Sequence, residues 1–454
     1  MGKRFLVLPI LLLAIICVLS CDKGQKSHVI TEGVDTAWVR IYNGSAGGRD
    51  WASTIVVDDS GNAYVTGASG TIKYDANGNQ LWVGSWGGVG IALDSYGSVN
   101  VISTADNGTN RDYATVKYDS RGKQLWVKRY NGPENKLDEP SAIAIDRFGN
   151  AYVTGKSMNK GIDRDYATIK YYPNGDTAWI RRHQGPTLDE ASAIAVDGFG
   201  NVYVTGESYD ARTNWDYLTI KYDSSGNELW TRRYNGTGNR SDSPSAIAVD
   251  SSGNIYVTGT SQGPLKKHEE EYIDKGDYLT IKYDSNGKQL WVKRYNGPED
   301  SYDGACAMAV DNFGNVYVTG ESEGGWESLT DYLTIKYSSS GKQLWIRKFG
   351  GPRWDRASDI AIDDSGNAYV TGEHGISEAR QYIATIKYDR NGKQLWKEIY
   401  NYPGKRYIMP SAITVDGSGN IYVTGGVEES IEDRLHHKEV LFDYITIKYF
   451  KAKR

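Results

Sequence analysis

Cysteine is nearly absent from this 454-residue chain: Cys17, Cys21 and Cys306 are the only three. The first two fall in an apolar N-terminal stretch, which leaves Cys306 alone in the remainder and excludes an intrachain disulfide framework there. Neither a CxxC nor an HExxH string occurs, and the six histidines are scattered apart from His436–His437. No cofactor or metal is therefore expected. Proline (11), methionine (4) and phenylalanine (7) are scarce. An excess of positive charge is lacking too: 52 basic residues face 57 acidic ones, a net −5 without any basic stripe. A chain of that kind is a poor nucleic-acid binder.

Glycine (52) and tyrosine (34) are abundant instead. They suit tight turns and pleated, half-exposed strands, which excludes a helical bundle or coiled coil. With 39% hydrophobic and 12% aromatic residues the chain is not disordered.

The first residues read as an address. Lys3-Arg4 precede an apolar run from Phe5 to Leu19 that closes on Ser20-Cys21. A basic start, a short apolar core and a small residue before the cut make a secretory signal over residues 1–20. The ending Val18-Leu19-Ser20-Cys21 resembles a bacterial lipobox with Cys21 as the acylated residue. Residues 21–34 then form the lipidated end and a polar tether, and 35–450 the folded part. The expected location is the cell envelope, outside the cytoplasm, with the membrane reached through the lipid.

Internal repetition decides the architecture. TIKY or TVKY recurs at Thr71, Thr115, Thr168, Thr219, Thr280, Thr334, Thr385 and Thr446. YVTG recurs at Tyr64, Tyr152, Tyr203, Tyr256, Tyr317, Tyr369 and Tyr422, with a worn copy at Asn100–Ser103. Trp recurs at 38, 82, 126, 179, 230, 291, 345 and 396. Each unit holds four short β runs separated by Asp, Ser, Gly and Asn. Four strands per unit at a spacing of roughly 40–60 residues is the arithmetic of a β-propeller blade. The fold class is all-β, an eight-bladed propeller with four antiparallel strands per blade. From the axis outward, strand A is the SAIAVD type, B is YVTG, C is TIKYD and D carries the Trp. The folded part begins on a strand D, because Asp35-Thr36-Ala37-Trp38 matches Asp176-Thr177-Ala178-Trp179, and it ends on a strand C at Thr446–Tyr449. Pairing the two closes the ring and removes two sheet edges.

The strings Ser245–Gly259 and Asp277–Trp291 resemble the SBBP β-propeller repeats of bacterial surface proteins and, more distantly, NHL repeats. The resemblance implies the fold and says little about chemistry.

Strand alternation places A–B and C–D turns on one face, B–C and D–A loops on the other. The former are short and uniform. From the YVTG glycine to the TIKY threonine, B–C spans 4 positions in blade 1 (Gly67 to Thr71) but 21 in blade 5 (Gly259 to Thr280) and 21 in blade 8 (Gly425 to Thr446). Binding residues tend to sit on variable loops held by a rigid scaffold, so the B–C/D–A face is the candidate binding face. An Asp stands eight residues before the strand A aspartate in six blades: Asp50, Asp138, Asp189, Asp242, Asp303 and Asp355; Trp86 and Ile408 take the other two places. Such an Asp either fixes its own loop by accepting N–H bonds or joins an acidic collar that attracts cations or a basic partner.

Other motifs carry less. The DSSGN turns lack the further carboxylates of a calcium loop. Tyr283–Trp291 is similar to the tryptophan-docking repeat of quinoprotein dehydrogenases. The adjacent carboxylates Asp138-Glu139 and Asp189-Glu190 raise glycoside hydrolysis. Lys266–Glu271 and Glu428–Lys438 read as solvated loops, and Cys306 as a small buried residue. The expected function is a lipid-anchored, monomeric binding or scaffolding module for a protein or glycan. The alternatives are a propeller enzyme, quinoprotein-like or carbohydrate-active, and an outer-membrane assembly factor.

Overall fold

The computed structural model describes residues 34–451 except 45–49, 107, 162, 186–187, 265–275, 299, 325–328, 352, 378–379 and 435–436, with backbone alone over 429–440. The signal, Cys21 and the tether lie outside the described residues, as does Lys266–Glu271. No helix among the described residues is long and apolar enough to cross a membrane.

Eight four-stranded antiparallel sheets follow one another along the chain. Blade 4 is representative, with strand A at Asp189–Val196, B at Val202–Asp210, C at Asn214–Tyr222 and D at Glu228–Tyr234. Strands A of successive blades touch all the way round, including those of blades 8 and 1, so the ring is closed. Their Ser and Ala residues allow that convergence. Strand A bulges in the middle, the register slipping between Ala191 and Ala193 in blade 4.

Closure follows the expected route. The first described strand, Val34–Tyr42, pairs antiparallel with the last, His437–Lys451, from Val34 opposite Lys451 to Tyr42 opposite Tyr444. The eighth blade is thus assembled from both ends of the chain.

The core lies between blades. Tyr203, Tyr217 and Trp230 of blade 4 are packed on Ile255, Val257, Leu279, Ile281 and Tyr283 of blade 5. Burying an aromatic of that size contributes roughly 1.5–3 kcal/mol. Polar bonds fix the same seam. Trp230 Nε1 and Lys221 Nζ both donate to the Ser285 carbonyl in the next blade's C–D turn, at 3.2 and 2.8 Å. The closing blade does likewise with residues from opposite chain ends: Trp38 Nε1 and Lys448 Nζ both donate to Ala76 O, at 3.1 and 3.0 Å.

The YVTG glycine is obligatory because strand A runs against it: a Cβ on Gly206 would lie 2.0 Å from Glu190 O. In worn blade 2, Asn100 replaces the tyrosine whose hydroxyl elsewhere reaches the A–B turn aspartate, and Lys117 Nζ takes the place of that donor, 2.8 Å from Asp94 Oδ2.

One segment departs from the sequence reading. Glu428–Lys438 is not a loop but part of a long hairpin, Ile421–Arg434 paired with His437–Lys451, in which Ile431 faces Val440 and Arg434 faces His437. Its charged composition masked the Ser430–Leu441 and Ile431–Val440 pairings that carry the ladder outward.

Candidate binding face

Five of the six aspartates are the first residue of strand A and Asp50 stands two residues before Ala52, where its strand begins; each turns inward beside the D–A loop. Asp50 is 3% exposed, and Asp138, Asp189, Asp242, Asp303 and Asp355 are 0% exposed. Each carboxylate accepts the N–H of a glycine in its preceding loop. The pairs are Gly44–Asp50 (2.6 Å), Gly132–Asp138 (2.6 Å), Gly185–Asp189 (2.6 Å), Gly236–Asp242 (2.5 Å), Gly297–Asp303 (2.5 Å) and Gly351–Asp355 (2.7 Å). These groups hold the D–A loops in place; their oxygens are not presented at the surface. In blade 8 the position belongs to Ile408, which joins the apolar core. In blade 2 Trp86 holds its loop through its backbone, its N–H donating to the Tyr118 hydroxyl at 3.0 Å.

A second layer supports the first. Arg233 on strand D donates from Nε to Asp216 at the start of strand C (2.5 Å) and from Nη1 to the Ser208 hydroxyl on strand B (2.8 Å). Arg182 bonds Asp165 (2.6 Å) and Ser157 (2.8 Å) in the same way. In blade 7 His374 replaces the serine and meets Asp355 at 2.5 Å. Burial pushes Asp242 and Asp303 up to about 6. Hydrogen bonds from Ser261 and Gly236, or from Ser322 and Gly297, oppose the rise, and the nearby Asp216 or Asp277 adds to it. Burial raises Asp138 and Asp189 as well.

What faces the mouth is the next residue along, because side chains alternate. In four blades the residue after the aspartate meets the residue after YVTG on strand B of the preceding blade: Glu190 with Lys156, Ser243 with Glu207, Arg356 with Glu321 and Trp51 with Gly426. Lys156 Nζ lies 2.9 Å from Glu139 and 3.6 Å from Glu190, and Glu190 also pairs with Arg164. Ser243 donates to Glu207. Arg356 meets Glu321 at 2.9 Å. Trp51 lies over Gly426, where a Cβ would come within 2.7 Å of the ring, and packs on Phe442 with the rings tilted 60° and 5.1 Å between centroids. Burial raises Glu207, Glu321 and Glu373 above the ordinary carboxylate range. The mouth is therefore graded: mixed charge at blades 3–4, acid-rich at blades 6–7, aromatic where blade 8 meets blade 1. These residues escaped the sequence reading. Their signal was variation inside a fixed string, since Lys156, Glu207, Thr260, Glu321, Glu373 and Gly426 all follow YVTG.

The same alternation bears on the carboxylate pairs. Asp189 is enclosed with its loop while Glu190 pairs with Lys156 and Arg164, so the two do not converge on one point as a glycosidase pair must. Cys306 occupies the place that Ser245 has in blade 5; its Sγ donates to Ala357 O in the neighbouring blade at 3.2 Å, and burial pushes the thiol up. Among the described residues no group of three or more His, Cys, Asp or Glu side chains could hold a metal ion.

Residues 37–71, 125–163, 179–210, 229–266 and 344–373 match the SBBP β-propeller repeat. The chain is an SBBP β-propeller repeat protein. A stretch of 212 residues is 28% identical to the regulatory protein FlaEY of Caulobacter vibrioides, covering 42% of this chain and 21% of that one. Another of 296 residues is 23% identical to an uncharacterized WD repeat-containing protein, L264, of Acanthamoeba polyphaga mimivirus, covering 55% and 20%. The SBBP chain thus spans about a fifth of the length of these relatives. Among solved structures it is similar to the polysaccharide lyase Uly1, with a TM-score of 0.49 at 11% identity over 91% of this chain and 99% of that one. It is also similar to a eukaryotic initiation factor, with a TM-score of 0.42 at 9% identity over 77% and 88%.

Proposed function

We propose that the protein is a binding or scaffolding module, held outside the cytoplasm by a lipid on Cys21, that engages a partner through the B–C/D–A face. The observation that carries this reading is the contrast within one rigid ring. Buried aspartates repeat from blade to blade, while B–C lengths run from 4 to 21 positions and the mouth side chains change from Lys156 to Glu321 to Trp51. A scaffold that fixes loops and varies what they carry is built for recognition. The pairing of acidic and basic groups across blades supports a polar partner surface, with Trp51 and Phe442 as an apolar anchor.

The test is affinity purification of the anchored protein from its own membranes. Deleting 429–440 and shortening the blade 5 B–C connection to the length found in blade 4 should remove the specific partners without changing the melting temperature. An unchanged partner set would refute the assignment of this face. Cys21→Ser should abolish fatty-acid labelling; labelling that persists would refute the anchor.

A further inference from the structure

The opposite face carries a feature that its turns do not need. The A–B turn tips share one conformation. In blade 5 Ser252 N–H donates to Asp250 Oδ1 at 2.9 Å, and in blade 7 Ser365 N–H donates to Asp363 Oδ1 at 3.0 Å. Four blades place an aromatic at that tip with the same bond: Tyr96 (3.0 Å), Phe148 (2.9 Å), Phe199 (2.9 Å) and Phe313 (3.0 Å). These rings are 74%, 55%, 80% and 80% exposed. Since serine makes the identical turn, local structure does not call for the ring, and leaving a phenylalanine in water forgoes the stabilisation of burying it.

Phe313 walls a cleft of about 330 Å³ between blades 6 and 7. Val310 and Ile362 are among its apolar lining, and Asn312, Asp364 and Arg390 line it with exposed side chains. Among the described residues no hydrogen bond to another protein group engages the Asn312 amide, the Asp364 carboxylate or the Arg390 guanidinium. The neighbouring cleft between blades 7 and 8 is of like size, about 350 Å³, but has Ser365 and Ser418 at its tips and no exposed aromatic wall.

We infer that the cleft beside Phe313 binds one pyranose unit of a glycan, and that Tyr96, Phe148 and Phe199 are matching platforms on consecutive blades. An aromatic face takes the C–H side of a sugar ring. A free carboxylate accepts from a hydroxyl pair, a guanidinium donates to hydroxyl oxygens and an amide does both. The volume falls within the range of small-molecule sites. A protein partner would need a desolvated apolar centre around its anchor, whereas Phe313 is ringed by Asn, Asp and Arg. Several platforms on one rigid face suit a repeating polymer, because each added contact becomes intramolecular. This inference is independent of the loop face proposed above.

The test uses the full-length folded protein in affinity electrophoresis against alginate, laminarin, xylan and dextran, followed by titration with hexasaccharides of the polymer that retards it. Retardation by at least one polymer is expected. Phe313→Ser should weaken hexasaccharide binding about tenfold or more, and the combined Tyr96→Ser, Phe148→Ser, Phe199→Ser and Phe313→Ser variant should lose retardation, both with unchanged melting temperature. No retardation by any polymer, or equal retardation of the combined variant, would overturn the inference. So would a combined variant that loses self-association instead of polymer binding, since the tips would then be a protein contact.

Discussion

Asp242 and Asp250 bracket the same inner strand of blade 5, one at each face of the ring, and their carboxyls are shifted in opposite directions. Burial pushes Asp242 up to about 6. Burial also works against ionisation of Asp250, but the Asn254 side chain and N–H, the Tyr256 hydroxyl and the Ser252 N–H outweigh it and hold that carboxyl below its ordinary value. Asp250 accepts from Ser252 N (2.9 Å), Asn254 N (2.9 Å), Asn254 Nδ2 (2.8 Å) and Tyr256 Oη (2.9 Å). Asp242 accepts the Gly236 N–H at 2.5 Å, with another carboxylate, Asp216, close by. The turn face is thus a set of saturated anions. The loop face is held by buried carboxylates, each accepting the N–H of a glycine four or six residues upstream in its D–A loop.

Opening the ring, which both faces share, should cost the most. Deleting residues 22–43 removes the outer strand of blade 8 together with Trp38 and its bond to Ala76. It leaves Tyr444–Tyr449 as an unpaired edge. The expected loss is several kcal/mol, a large part of a net stability of about 5–15 kcal/mol. Deleting 22–33 alone should leave the denaturant midpoint unchanged. Equal midpoints for the two truncations would refute closure by the N-terminal strand.

Asp250→Asn attacks the saturated end. Loss of charge on a group that accepts four hydrogen bonds should cost about 1.5–3 kcal/mol at pH 7. The lowered carboxyl contributes stability above the unfolded value of about 3.9 and loses it as pH falls through the folded value. The difference between wild type and variant should therefore shrink on acidification below about pH 4. A constant difference from pH 3 to 7, measured by urea unfolding, would show that charge is not the cause.

Asp242→Asn attacks the other end with a smaller effect and the opposite pH trend. The folded carboxyl sits at about 6 against roughly 3.9 when unfolded. Between those values the native chain holds more protons, and stability falls as pH rises. Asparagine keeps an acceptor for Gly236 N–H and carries no charge. The variant should stay within about 1 kcal/mol of wild type at pH 7 and gain on it as pH rises from 4 to 7. If Asp242→Asn instead loses ground over that window, the carboxylate is stabilised by a contact at the loop face stronger than its burial cost.

How far these differences could be read from sequence depends on what generates them. Repeats expose the blade plan because every blade solves the same packing problem: Trp230 and Lys221 must meet the next blade's turn carbonyl, so both recur. Closure was legible because Asp35–Trp38 copies a strand D opening. That the six aspartates fix their own loops was one of the two readings the sequence offered, and their glycine N–H bonds bear it out against the acidic collar; which side of the strand meets the mouth stayed open, since a period of two assigns residues to opposite sides without saying which. Glu207, Glu321 and Trp51 were missed for the same reason, and because no string repeats at a position whose purpose is to differ. The hairpin at 421–451 was hidden by charge, which strands tolerate once their backbone groups are paired. The aromatic tips stand in turns of uniform backbone in which both residues between the aspartate and the glycine vary, so no repeated string marks them.

A change confined to a turn tip should cost almost nothing. Ser252→Phe would install in blade 5 the tip that blade 6 has naturally. Ser252 N–H and Phe313 N–H reach their aspartates at 2.9 and 3.0 Å, so the backbone already has the required shape. Both side chains project into solvent, and a surface change that disturbs no cap, cavity or buried bond usually stays within about 0.5 kcal/mol. The midpoint in urea should coincide with wild type. A loss of more than 1 kcal/mol would mean that serine and phenylalanine tips are not interchangeable. The four aromatic tips would then belong to the structure of their own blades rather than to a surface free to be used for binding.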